Sequence, residues 1–221
     1  MAGWLGCCRH GEGRKGHVTV TTNADDLLRH IAEQNRRDRK VPRAFVRAIL
    51  ADDPEGLVAS LEELETSLFG WRRAFQQIAK LEAVPIGMKD RMLALWCHHG
   101  DTLRGEIGHD MTLVKALRVL LPPYDGPGLT VYRGDSAWNW RRRSYGLSWS
   151  SSMEVADGHA SGRLWRASTG GSVVLKVHAD PAAIICAPGL IANSYGEDEY
   201  IVDRRHVRGV TVLKRYAEQP L

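Results

Sequence analysis

Cysteine is scarce, long apolar runs are missing and no repeat recurs, and each absence removes a class of protein. Only Cys7, Cys8, Cys97 and Cys186 occur in 221 residues, without a Cys-x-x-Cys pair. That excludes a disulfide-stapled scaffold and suits a reducing compartment. Cys97-His98-His99 are adjacent. Adjacent helical residues point about 100° apart, so these three do not share an ion; solvated histidines at a helix end are expected, and no metal. No stretch approaches the roughly 18 to 20 apolar residues that cross a bilayer. The mildly apolar start, Met1 to Cys8, is too short and too early for the core of a signal peptide. Gly3 is not the second residue, so the myristoylation pattern is missed.

What is present fits an ordinary folded protein: 43% hydrophobic and 25% charged residues, enough for a sizeable core in one or two domains. A net charge of +4 permits an acidic or nucleic-acid partner without demanding one. Basic clusters at Arg36–Lys40, Arg141–Arg143 and Arg204-Arg205 read as solvated faces.

Residues 1 to 22 are rich in Gly, Lys and Arg without periodicity and read as a flexible tail. From 23 to 122 the pattern is helical. Thr22-Asn23 offers a cap, Pro42 sits where a new helix would start, and Asp53-Pro54 is a cap followed by proline. Leu57, Leu61, Leu64 and Leu68 then recur at helical spacing, as do Met88, Met92, Leu95 and Trp96. Pro122-Pro123 and the glycines after it mark a boundary. From 123 to 221 six short β-rich runs follow, with one helix expected at Met153–Ala160. The expected class is α+β: an all-helical block, then a small sandwich of two packed sheets.

Three pieces of the second half carry chemistry. Val131-Tyr132-Arg133-Gly134 ends a strand on a guanidinium, which binds phosphate through a planar fork, with a glycine that admits close approach. Ser148 and Ser150 lie two apart and share a strand face, with Trp149 opposite; Ser151 or Ser152 caps the helix that follows. Glu197 and Glu199 also share a face if extended, about 7 Å apart at Cα, and two close acids push one pKa up. Taken singly, each pattern is common on protein surfaces.

In this order the three resemble the catalytic core of the arginine–serine–glutamate class of mono-ADP-ribosyltransferases, which includes cholera-toxin-like enzymes. The resemblance spans residues 128 to 215, a little under half of the chain. The departures are Trp149 where threonine is usual and Ser194 where an aromatic often precedes the first glutamate, with Tyr195 as a substitute.

The resemblance implies a two-sheet transferase core that moves ADP-ribose from NAD to a macromolecule and releases nicotinamide, as a toxin or effector. Arg133 would hold an NAD phosphate and brace the serine strand. Ser148 would support the nicotinamide ribose, Glu199 would be the catalytic acid, and Glu197 would activate the acceptor, with protein arginine favoured. Gly134, Ser150, Arg163 and Trp165 would complete the NAD site, the last two from a covering loop at 157–171. A loop at 187–196 would meet the target. An immunity or antitoxin protein is a further partner, and no membrane is involved. The expected location is the cytoplasm, of the producing cell or of a target cell. Nucleic-acid modification, NAD hydrolysis and a non-catalytic β-sandwich binding module are the alternatives.

Overall fold

A computed structural model describes residues 23–67, 69–188 and 198–219. The described chain divides into two compact units, residues up to Arg36 and residues from Arg37 on. The expected tail at 1–22 lies outside the described residues.

Five helices come first: α1 (Ala24–Leu50), α2 (Pro54–Glu65), α3 (Gly70–Ile78), α4 (Ile86–Ile107) and α5 (Asp110–Leu120). Pro42 does not start a new helix but sits inside α1. An interior proline forfeits a backbone hydrogen bond. Burial of Val41, Pro42, Phe45, Val46 and Ile49 around it offsets that loss. Asp53 caps α2 as expected, accepting from the Gly56 amide at 2.9 Å. Leu121 leaves helical geometry, and Pro122-Pro123 bars continuation.

The second half adds β1 (Leu129–Ser136), α6 (Ala137–Arg141), β2 (Ser148–Ser150), α7 (Met153–Ser161), α8 (Arg163–Arg166), β3 (Ser172–Ala179), β4 (Ile184–Cys186), β5 (Glu199–Val202) and β6 (Thr211–Tyr216). The class is α+β. Instead of the two sheets expected, the described strands join in one antiparallel sheet of order β4-β5-β2-β1-β3-β6. The reason is local: Tyr132 pairs with Ser150, and this one ladder position joins β4-β5-β2 to β1-β3-β6. A single apolar cluster draws on both halves, with Val131, Leu175 and Val177 from one and Trp149, Tyr200 and Val202 from the other.

The opposite face carries the helices. Leu147, Ile185, Cys186 and Ile201 enter the same core as Phe45, Phe75, Met88, Trp96 and Leu117. Helix α7 covers β1 and β3 through Ala156, Ala160 and Val174. The helical block from Arg37 on is therefore packed on the sheet rather than tethered beside it.

Candidate functional site

Between α4 and α7, over the middle of the sheet, lies a cavity of about 280 Å³. Arg133 and Gly134 reach it from β1, Ser148 and Ser150 from β2, and Glu199 from β5. Strand alternation explains the convergence. Ser150 pairs with Glu199, and Ser148 with Ile201, so these four side chains emerge on the helix-covered face while Trp149 and Tyr200 fill the other. Trp149, with its larger ring, is accommodated in that second core at 2% exposure.

Arg133 is held rather than presented. Its Nε donates to Asp135 Oδ2 at 2.7 Å and its Nη1 to the Ser148 carbonyl. The Arg133 side chain is 10% exposed and that of Asp135 fully buried. Asp135 also accepts from the Gly146 and Ser136 amides and from Asn139 Nδ2, so its carboxylate is saturated. Gly146 makes room for the guanidinium, since a Cβ there would stand 2.2 Å from Arg133 Nη2. The guanidinium therefore clamps the first serine of β2 in place.

Gly134 also has a packing reason. A Cβ there would meet the Ala156 carbonyl at 2.4 Å and the Ala160 amide at 2.5 Å. The close approach it permits is that of α7, not of a ligand. Ser150 Oγ accepts from the Ser152 amide at 3.0 Å, and Ser152 caps α7 by accepting from Val155 N at 3.3 Å.

Glu199 opens β5, half buried, after Asp198, whose φ of 44° turns the chain. Trp96 Nε1 donates to Glu199 Oε1 at 3.4 Å. The helical block thus steadies the carboxylate. It also supplies His98, His99 and Thr102 to the cavity wall, and α7 supplies His159. Cys97, His98 and His99 sit in the middle of α4, not at a helix end. Among the described residues no group of three His, Cys, Asp or Glu is arranged to hold a metal ion. Burial pushes the Cys186 thiol up to about 12, so it stays protonated in the core.

The remaining expected residues are not brought in. Glu197 and most of the target loop lie outside the described residues, as does the side chain of Trp165. The covering loop is largely helical, in α7 and α8. Arg163 is exposed on α8 and does not line the cavity. Arg166 Nε instead donates to the Ala217 carbonyl.

Sequence reading missed Asp135 and Trp96. The Arg-x-Asp spacing on a strand was a signal for the first, because it puts both side chains on one face. Nothing local signals the second, which lies 103 residues from Glu199. No helix among the described residues is long and apolar enough to cross a membrane. No family model, curated protein or solved structure matches this chain.

Proposed function

We propose that this protein is an NAD-dependent mono-ADP-ribosyltransferase, with Glu199 as its catalytic acid and a macromolecule as acceptor. The observation that carries the reading is that Arg133, Ser148 and Glu199, from three strands, line one cavity. On this reading the halves β4-β5-β2 and β1-β3-β6 correspond to the two sheets of that enzyme class.

The chemistry follows from the residues. Breaking the bond between nicotinamide and ribose develops positive charge on the sugar, as glycoside cleavage does. The leaving group departs neutral, so no general acid is required. A Glu199 carboxylate fixed by Trp96 supplies the compensating negative charge without reorganising. Ser148 and Ser150 offer hydroxyls on the same face. At about 280 Å³ the cavity suits the nicotinamide–ribose half of NAD, since whole drug-sized ligands fill roughly 300 to 1,000 Å³. The phosphates would then lie toward the cavity mouth. Arg133, paired with Asp135, braces the serine strand more than it presents charge to them. By the resemblance, Glu197 would activate the acceptor, with protein arginine favoured.

The pairing of Arg133 with a buried carboxylate equally suits a non-catalytic binding module. Nicotinamide release separates the two readings. With NAD and cell extract, wild-type protein should release nicotinamide and label a macromolecule. Glu199→Gln should lower the rate by about 10²- to 10³-fold with an unchanged thermal melt. Equal rates for the two proteins would refute Glu199 as the acid. Absence of nicotinamide release favours the binding module, and free ADP-ribose without labelled macromolecule favours hydrolysis.

A further inference from the structure

A second concavity among the described residues is larger than the cavity of the candidate site. A cleft of about 850 Å³ is lined by Trp140, Arg141, Arg143, Arg204, Arg205 and Arg208, and it shares no lining residue with the cavity at Glu199. In the sequence its arginines form two groups 61 residues apart, and the fold joins them. The joining contact is direct: Arg204 Nη1 donates to the Arg143 carbonyl, at a residue whose φ is 54°.

Two of the cations are fixed by carboxylates, and Arg141 Nη2 donates to the Thr169 carbonyl at 3.1 Å. Arg204 Nε donates to Asp110 Oδ2 at 2.7 Å, and Arg205 Nη2 to Asp203 Oδ2 at 2.6 Å. Among the described residues, no carboxylate pairs with Arg141, Arg143 or Arg208, all three of which are exposed. Five guanidiniums therefore face two carboxylates, and the cleft keeps an excess of positive charge. Exposed like charges gathered in one cleft repel, a cost that an incoming anion would relieve.

Aromatic rings stand among the cations. Arg215 lies over the Trp140 ring at 4.4 Å, and Arg142 over the Trp138 ring at 4.0 Å. Trp140 lines the cleft itself, whereas Trp138, 45% exposed, lines a separate hollow with Asn139 and Thr169. Guanidiniums in a groove answer to phosphates, and aromatic or guanidinium faces between them answer to unstacked bases. An acidic peptide would use the charge but not the ring faces.

We propose that this cleft binds single-stranded nucleic acid, as a second site that stands whether or not the cavity uses NAD. The phosphodiester backbone contacts Arg141, Arg143 and Arg208, and a base stacks beside Trp140.

The test is fluorescence anisotropy of labelled 12-nucleotide oligouridylate and oligothymidylate with the full chain, titrated with salt. Neutralising about three phosphates on a single strand gives a log–log salt slope near −2. Arg143→Gln with Arg208→Gln should weaken binding at least tenfold and flatten the slope by about 1.4. Lys40→Gln with Lys80→Gln removes the same net charge from the helical block and should change neither value. Thermal melts of both variants check folding. Tighter binding of the RNA or of the DNA strand identifies which is the ligand. The proposal falls if neither strand binds at 50 mM salt, or if the two double variants lose affinity equally. It also falls if polyglutamate binds as tightly, which would mark the cleft as a dock for an acidic protein.

Discussion

Asp135 is the residue on which the candidate site depends without touching its cavity. It accepts four hydrogen bonds, one of them from Arg133, and is wholly buried. Removing one partner of a buried pair leaves the other charge stranded, at a cost of about 3 to 5 kcal/mol. Asp135→Ala should therefore lower the free energy of unfolding by about 3 kcal/mol or more, read from urea titration at constant m value. Arg133→Met combined with Asp135→Leu should recover only the part due to the stranded guanidinium, because the Gly146 and Ser136 amides and Asn139 Nδ2 stay without their acceptor. Transferase activity, if present, should not return with it, since the clamp on the Ser148 carbonyl is gone. Much at this scale was legible beforehand. That Ser148 and Ser150 share a face reads directly from spacing, because strand alternation is short-range, whereas Glu199 joins them only through the register of β5 on β2. The role of Gly134 was not legible, because it depends on where α7 lands, and no pattern within β1 encodes that.

Helix α4 serves two purposes along its length. Met88, Met92 and Trp96 anchor the helical core, and the next turns border the cavity. Trp96 belongs to both through its ring and its indole N–H. Trp96→Phe keeps the apolar body and deletes the donor. It should lower the rate of nicotinamide release by about tenfold while leaving the KM for NAD within about twofold, as loss of a charge-assisted hydrogen bond worth about 1.5 kcal/mol predicts. A purely structural role would instead appear in the thermal melt with the rate preserved. At this scale the sequence reading located most elements and misjudged how they join. Four of the six strand runs and the helix from Met153 start within a residue of where the sequence put them, β2 and β6 start three and four residues later than the runs at 145–149 and 207–213, and Pro42 was read as a break. Proline breaks an isolated helix, and α1 keeps it only because tertiary burial surrounds it. The single sheet was likewise out of reach of local patterns, since one ladder pair decides whether two sheets or one is formed.

Across the molecule, charge ties the helices to the sheet. Asp110 at the start of α5 receives Arg104 from α4 and Arg204 from the segment after β5. Burial alone would raise this carboxyl, but the two guanidiniums outweigh it and hold it below its ordinary value near 3.8. Asp203 is held low in the same way, with burial outweighed by Arg205. A carboxyl with a lowered folded pKa adds stability that is complete above its unfolded value and fades as pH falls through the folded one. Asp110→Asn should thus be less stable than wild type at pH 7, and the difference should shrink as pH drops below about 4. Urea midpoints of the two proteins at pH 7 and at about pH 3 measure this; a gap of constant size would show that the ionised carboxylate is not what matters. The sequence could not announce this link, because Arg204 lies 94 residues from Asp110 and on its own read as part of a solvated cluster.

The proline pair at 122–123 looks like a seam where two modules could be parted. Leu147, Ile185, Cys186 and Ile201 lie in the core of the helices on the other side of it. Cut there, the C-terminal piece would meet water with a greasy sheet face and clump, and the N-terminal piece would lose the floor it rests on. From Arg37 on, the helices and the sheet share one core, so the two sides of the proline pair fold together or not at all.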